Sequence, residues 1–190
     1  MLLKNRGEQV SSNTNQHAKV LPGFEPRPQT YIQALSLQAH PEGGFFRETY
    51  RSKCVVTVSL DDLADMVHRN ISTGILFLLE EGNFSAFHQI KSDEMWHFYA
   101  GQSLELLEIT DSGELLGTRL GPDILGGDVP QHVVSANTWF ASRVASGGMF
   151  SLVGCTVAPG FDFTDFRLAD RRTLQASFPQ HRKLISELTR

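Results

Sequence analysis

Between residues 72 and 157 the chain repeats one pattern, a short apolar run followed by a turn. The runs are Ser72–Leu79, Phe84–Ile90, Glu94–Tyr99, Leu104–Thr110, Leu115–Leu120, Gln131–Val134, Trp139–Val144 and Met149–Val157. Between them lie Glu81-Gly82-Asn83, Ser92-Asp93, Gly101, Asp111-Ser112-Gly113, Gly121-Pro122-Asp123, Gly126-Gly127 and Gly147-Gly148. Runs this short, bounded by turn residues at regular spacing, predict strands. Many short strands in succession bury one face against another sheet, so the chain is all-β, a sandwich or a barrel.

Short helices flank this region. Thr30 is placed to cap a helix through Tyr31, Ile32 and Leu35, ending before His40-Pro41, because a residue preceding proline leaves the α region. Leu60, Leu63, Ala64 and Val67 predict a second helix from Asp61 to about Arg69. Arg171–Ser177 and Gln180–Leu188 predict two more, separated by Pro179. Residues 1–28 are polar and carry Pro22, Pro26 and Pro28, which reads as a flexible tail; the folded domain is 29–190. Leu2-Leu3 followed by Lys4 and Arg6 is too short an apolar run for a secretory signal.

Charge and cysteines narrow the class. A net charge of −4 has the wrong sign for a general nucleic-acid binder. No stretch approaches the ~20 apolar residues of a membrane helix. Cys54 and Cys155 sit among apolar neighbours and read as buried reduced thiols, which suits a cytoplasmic protein; a disulfide between them stays open.

The strip from Gly82 to Gly101 carries the chemistry. Side chains alternate along a strand, so His88 and Ile90 share a face, and after Ser92-Asp93 the residues Glu94, Trp96 and Phe98 share one too. A hairpin here brings His88 and Glu94 together on an apolar wall. Such a pair can bind a metal, act as acid and base, or hold a polar ligand group; it can also be a buried hydrogen bond that only stabilises the sheet.

Gly82, His88, Glu94 and Gly101 fall in the register of the first cupin motif, which the strip resembles. Three longer phrases, His40–Arg51, Ser92–Gly101 and Val153–Phe163, are similar to a family of small single-domain cupins labelled as a domain of unknown function. The resemblance implies a double-stranded β-helix, the cupin jelly roll, with a small-molecule pocket in the barrel, in a homodimer. The segment around Phe45–Tyr50 is then a candidate for pairing between subunits. Fold alone implies no reaction.

Metal-binding cupins use three histidines and a glutamate. Carried over, those positions are His88, Ile90, Glu94 and Phe140, two of them apolar. The expectation is no tightly bound metal, with at most a weak divalent ion at His88 and Glu94. Metal-free relatives are the nucleotide-sugar epimerases, which use a barrel histidine as base and carry an Arg-Gly-x-Phe-x-Glu phrase. Gly44-Phe45-Phe46-Arg47-Glu48 is similar to that phrase, with Gly43 where the arginine stands. The resemblance therefore implies a metal-independent isomerase or epimerase acting on a carbonyl or nucleotide-sugar-like substrate. His88 and Glu94 are its catalytic pair, with Phe46, Arg47, Glu48, Ile90, Trp96, Phe98 and Phe140 around the ligand and Arg47 or Arg51 for a phosphate or carboxylate. The alternative is a non-enzymatic binding protein using the same pocket for a small polar or nucleotide-like ligand. The basic residues Arg171, Arg172, Arg182, Lys183 and Arg190 read as a solvated helical face.

Overall fold

A computed structural model describes residues 27–60 and 66–190. Helix α1 (Pro28–Ala34) leads into β1 (Gln38–Ala39), β2 (Phe45–Arg51), β3 (Val55–Val58) and β4 (Val67–Asn70). Then come β5 (Thr73–Glu80), β6 (Phe84–Gln89), β7 (Asp93–Gly101), β8 (Leu104–Ile109) and β9 (Leu115–Leu120). The last strands are β10 (Gln131–Val134), β11 (Trp139–Val144), β12 (Phe150–Ala158) and β13 (Arg167–Leu168), followed by α2 (Arg171–Ser177) and α3 (Arg182–Glu187).

Two sheets face each other as a jelly roll. One runs β1-β2-β5-β12-β7-β10, the other β13-β6-β11-β8-β9, and β3-β4 form a separate ribbon. Every pair of these strands is antiparallel. Phe77, Leu79, Trp96, Leu104, Leu106, Phe140 and Val153 fill the space between the sheets. Burying each such large side chain contributes about 1.5–3 kcal/mol. Both outer faces are partly covered, which is why β5 reads as a continuous apolar run. Leu78 points outward and packs with Leu37, Tyr31 and Ile32 near α1. Phe87 and Ala141, behind the other sheet, pack on Leu174, Ile185 and Leu188 of the C-terminal helical segment.

Several expectations are corrected. Pro28, not Thr30, opens α1: it stands in the first turn, where a proline's fixed φ suits the helix and its missing N–H is not needed. Residues 67–70 are strand β4, paired with β3, rather than the end of a helix; residues 61–65 of that expected helix lie outside the described residues, as do residues 1–26 of the expected tail. Strand β2 pairs with β5 along one edge and, at Phe45 and Phe46 alone, with β1 along the other, so among the described residues no strand covers that edge over residues 47–51. The largest correction concerns β6 and β7. They form no hairpin: β6 pairs with β11 and β13, β7 with β10 and β12. The turn at Ser92 carries the chain from one sheet to the facing one. Both cysteines are free, and Cys54 is exposed rather than buried. Among the described residues no helix is long and apolar enough to cross a membrane.

Candidate functional site

One end of the barrel interior opens as a cavity of about 630 Å³, counting its mouth. β2, β5, β7 and β12 supply one wall, β6 the other, and the segment after β12 crosses the mouth with Phe161, Phe163 and Phe166.

His88 comes from β6 and is almost fully buried. Its Nδ1 lies 2.7 Å from the Ala86 carbonyl oxygen. A carbonyl only accepts, so Nδ1 carries the hydrogen and Nε2 faces the cavity side. Nε2 lies 3.2 Å from Oε2 of Glu42, and the Phe140 ring packs behind the imidazole at 4.1 Å between centroids. Burial pushes the His88 pKa down, against the nearby Glu94 charge and the Ala86 hydrogen bond, which raise it.

Glu42 arrives on the turn between β1 and β2. Gly43 and Gly44, at φ +118° and +71°, make that turn possible. A Cβ on Gly43 would lie 2.1 Å from the Phe84 carbonyl oxygen, so no other residue fits. The turn is pinned by the Ala86 N–H, which donates to the Glu42 carbonyl at 2.9 Å. Ser85 Oγ donates to Oε1 of Glu42 at 2.8 Å, and His40 Nδ1 is 3.5 Å from Oε2. Burial raises the Glu42 pKa to about 6, with His40 and Ser85 holding it down. His40 is itself lowered by burial and is ringed by Phe46, Phe77, Phe163 and Phe166.

Glu94 faces this group from β7. Burial raises its pKa to about 7; His88 opposes that shift, Glu42 adds to it, and Cys155 and Trp96 hold it down. The Trp96 indole N–H is buried and makes no hydrogen bond of good geometry. The Cys155 thiol is pushed well up by burial and the two carboxyls.

Phe46, Glu48, His88, Ile90, Glu94 and Trp96, all expected from the sequence, do line the cavity. Phe140 and Phe98 pack in the core behind it. Arg47 is misplaced by the expectation: with Phe46 and Glu48 pointing inward, alternation turns it to the other face of β2. Arg51 points inward instead, because the register of β2 against β5 shifts between Glu48 and Tyr50. It is no free anion site. Nε and Nη2 donate to the Glu48 carboxylate at 2.9 and 2.7 Å, and Nη1 donates to Asn70 Oδ1 at 2.8 Å and to the Phe161 carbonyl at 3.2 Å. His40 and Glu42 were missed, although both stand in the first family phrase; their signal was charged residues in a proline–glycine turn directly before a strand.

Arg190 also departs from expectation. Its guanidinium donates to the carbonyls of Glu42 and Phe84 and to Asn83 Oδ1, at 3.2, 3.1 and 3.0 Å. Arg171 holds Thr189 beside it through Oγ1 and the carbonyl. Neither belongs to a merely solvated face. At the mouth, Asp165 pairs with Arg69 through two short contacts, 2.6 and 2.8 Å, which ties the aromatic segment to β4.

The donor set does not fit a resident metal. Ile90 and Phe140 offer no ligand atom, and both nitrogens of His88 are already engaged. Among the described residues no three His, Cys, Asp or Glu side chains converge as a metal site requires.

The family model described as cupin superfamily (DUF985) matches residues 29–169. An uncharacterized protein of Saccharomyces cerevisiae is 31% identical over 153 residues, 74% of this chain and 76% of that one. A crystal structure of a Shewanella oneidensis protein is 40% identical, with a TM-score of 0.76, covering 87% of this chain and 99% of that one. A hypothetical protein from Leishmania major is 30% identical, with a TM-score of 0.79, covering 86% and 99%.

Proposed function

The chain belongs to the DUF985 family of the cupin superfamily, and on that premise we propose that it is a metal-independent isomerase or epimerase of a small carbonyl compound. The observation that carries this reading is the placement of His88 Nε2 against Glu42 in a buried cavity, with Glu94 on the facing wall.

The chemistry needs a base for a C–H beside a carbonyl and an acid to return the proton. With Nδ1 committed to Ala86, His88 Nε2 and Glu42 together hold one exchangeable proton. Burial opposes charge on both groups, which favours the neutral arrangement, carboxyl beside imidazole, over the ion pair. Loss of that proton leaves a pair able to take one from carbon. Glu94, with a pKa of about 7, is partly protonated at neutral pH and can supply one. The C–H bond breaks, an enol or enolate forms, and reprotonation gives the isomer; no oxidant or reductant is required.

The test is solvent exchange. Small carbonyl compounds incubated with the protein in deuterium oxide are expected to lose their α-proton signal, and His88→Ala is expected to abolish the loss. A compound that binds the cavity saturably yet never exchanges, across a panel of such ligands, would defeat the enzyme reading and leave a binding protein.

A further inference from the structure

We propose that the cavity takes an uncharged polyhydroxy carbonyl compound, an unphosphorylated sugar, and turns away phosphate esters and nucleotide-linked sugars. The carbonyl in that description rests on the isomerase reading; the absence of charge rests on the cavity wall itself.

Among the described residues three carboxyls face the cavity, those of Glu42, Glu48 and Glu94, against one guanidinium, that of Arg51. Arg51 spends its charge on Glu48 in a two-point pair and its Nη1 donors on Asn70 and the Phe161 carbonyl. Arg47 is on the other face of the strand. His40 and His88 are kept neutral by burial. A phosphate group loses its hydration on entering and must be repaid by charge-assisted donors. Among the described residues lining the cavity it meets no free one, and it meets two buried carboxyls.

The same wall suits a sugar. Protonated Glu42 and Glu94 can donate to hydroxyl or carbonyl oxygens, and in ionised form they accept from hydroxyls. Phe46, Phe161, Phe163 and Phe166 give flat apolar faces for the C–H side of a ring. Phe163 is 54% exposed at the mouth, an aromatic surface without a full covering in the folded chain.

The experiment uses the full chain and reads binding without turnover. Glucose, fructose and ribose, their monophosphates, and uridine-diphosphate glucose are titrated while the Trp96 indole and His88 ring signals are followed by nuclear magnetic resonance. At least one free sugar is expected to shift both signals saturably, with its monophosphate binding about tenfold more weakly or worse, a difference of about 1.4 kcal/mol. Glu48→Gln, which releases Arg51, is expected to raise monophosphate affinity about tenfold. A phosphorylated or nucleotide-linked sugar binding more tightly than its free parent overturns the proposal, as does a panel in which no free sugar binds or a Glu48→Gln variant with no gain for anions. A free sugar that binds but never exchanges its α-proton defeats only the isomerase reading; a preference for anions defeats only this one.

Discussion

Nε2 of His88 lies 3.2 Å from Oε2 of Glu42, while Nδ1 of the same ring is held 2.7 Å from the Ala86 carbonyl oxygen. The ring is thereby fixed at both nitrogens, and its chemistry belongs to a pair, not to a lone histidine. One strand, β6, and a turn more than forty residues before it build that pair.

Glu42→Gln keeps the shape and a hydrogen-bonding group beside His88 and Ser85 but removes the titrating oxygen. Proton exchange is expected to fall by about 10²-fold or more, the ordinary range for a lost general acid or base. Urea denaturation is expected to place its stability within about 1 kcal/mol of wild type, since both side-chain neighbours can still be satisfied. A collapse of stability with exchange preserved would assign Glu42 to structure alone.

Glu94 titrates near 4.5 when unfolded and near 7 when folded. Between these values the folded chain binds more protons than the unfolded one, so the stability contributed by this group falls as pH rises through the window. Glu94→Gln removes the buried charge. The variant is expected to match wild type within about 1 kcal/mol at pH ~5 and to exceed it by up to about 3 kcal/mol at pH ~8. Equal stability at both pH values, in paired denaturation curves, would mean the carboxyl is hydrated in the folded protein.

Arg69→Ala leaves Asp165 without its two short contacts and frees the aromatic segment at the mouth. A loss of about 1–3 kcal/mol is expected, with faster amide hydrogen exchange at residues 161–166 than elsewhere. Uniform acceleration across the sheets would contradict a local tether.

Arg190→Ala removes donors to Glu42 and Phe84 and a cation seated 4.6 Å over the Phe84 ring. Loss of about 1–2 kcal/mol is expected, together with a displaced His88 titration in nuclear magnetic resonance, because the turn that carries Glu42 loosens. An unchanged His88 titration would limit Arg190 to stability.

Chelation is expected to leave the midpoint of thermal unfolding unchanged, since a metal bound to the native state would raise it by mass action. Elemental analysis giving one transition metal per chain, lost on His88→Ala, would reverse the conclusion drawn from the donor set.

The strand–turn rhythm made most of the fold legible. Leu115–Leu120, Gln131–Val134 and Trp139–Val144 begin and end where their apolar runs do. Pairing was not legible, because alternation fixes which face a side chain takes and not which strand lies beside it; hence the false hairpin of β6 with β7. Within the site, alternation sufficed for His88, Ile90, Glu94 and Trp96. It should also have sent Arg47 outward. Arg51 was beyond its reach, since the one-residue slip at Thr49 leaves no mark in composition. Glu42 was hidden for a different reason: a charged residue beside two glycines looks like exposed turn, and only the docking of that turn under Phe84 and Arg190 buries it.

Because β6 and β7 belong to opposite sheets, His88 and Glu94 approach the barrel interior from opposed directions. On the isomerase reading proposed above, a carbon held between them would give up hydrogen toward one sheet and receive it from the other. The centre would then be left with inverted configuration, its incoming hydrogen drawn from solvent rather than returned from the substrate. In deuterated water, each turnover of such a centre would write its isotope into the product hand alone, and the starting enantiomer would stay unlabelled until the reverse reaction sets in.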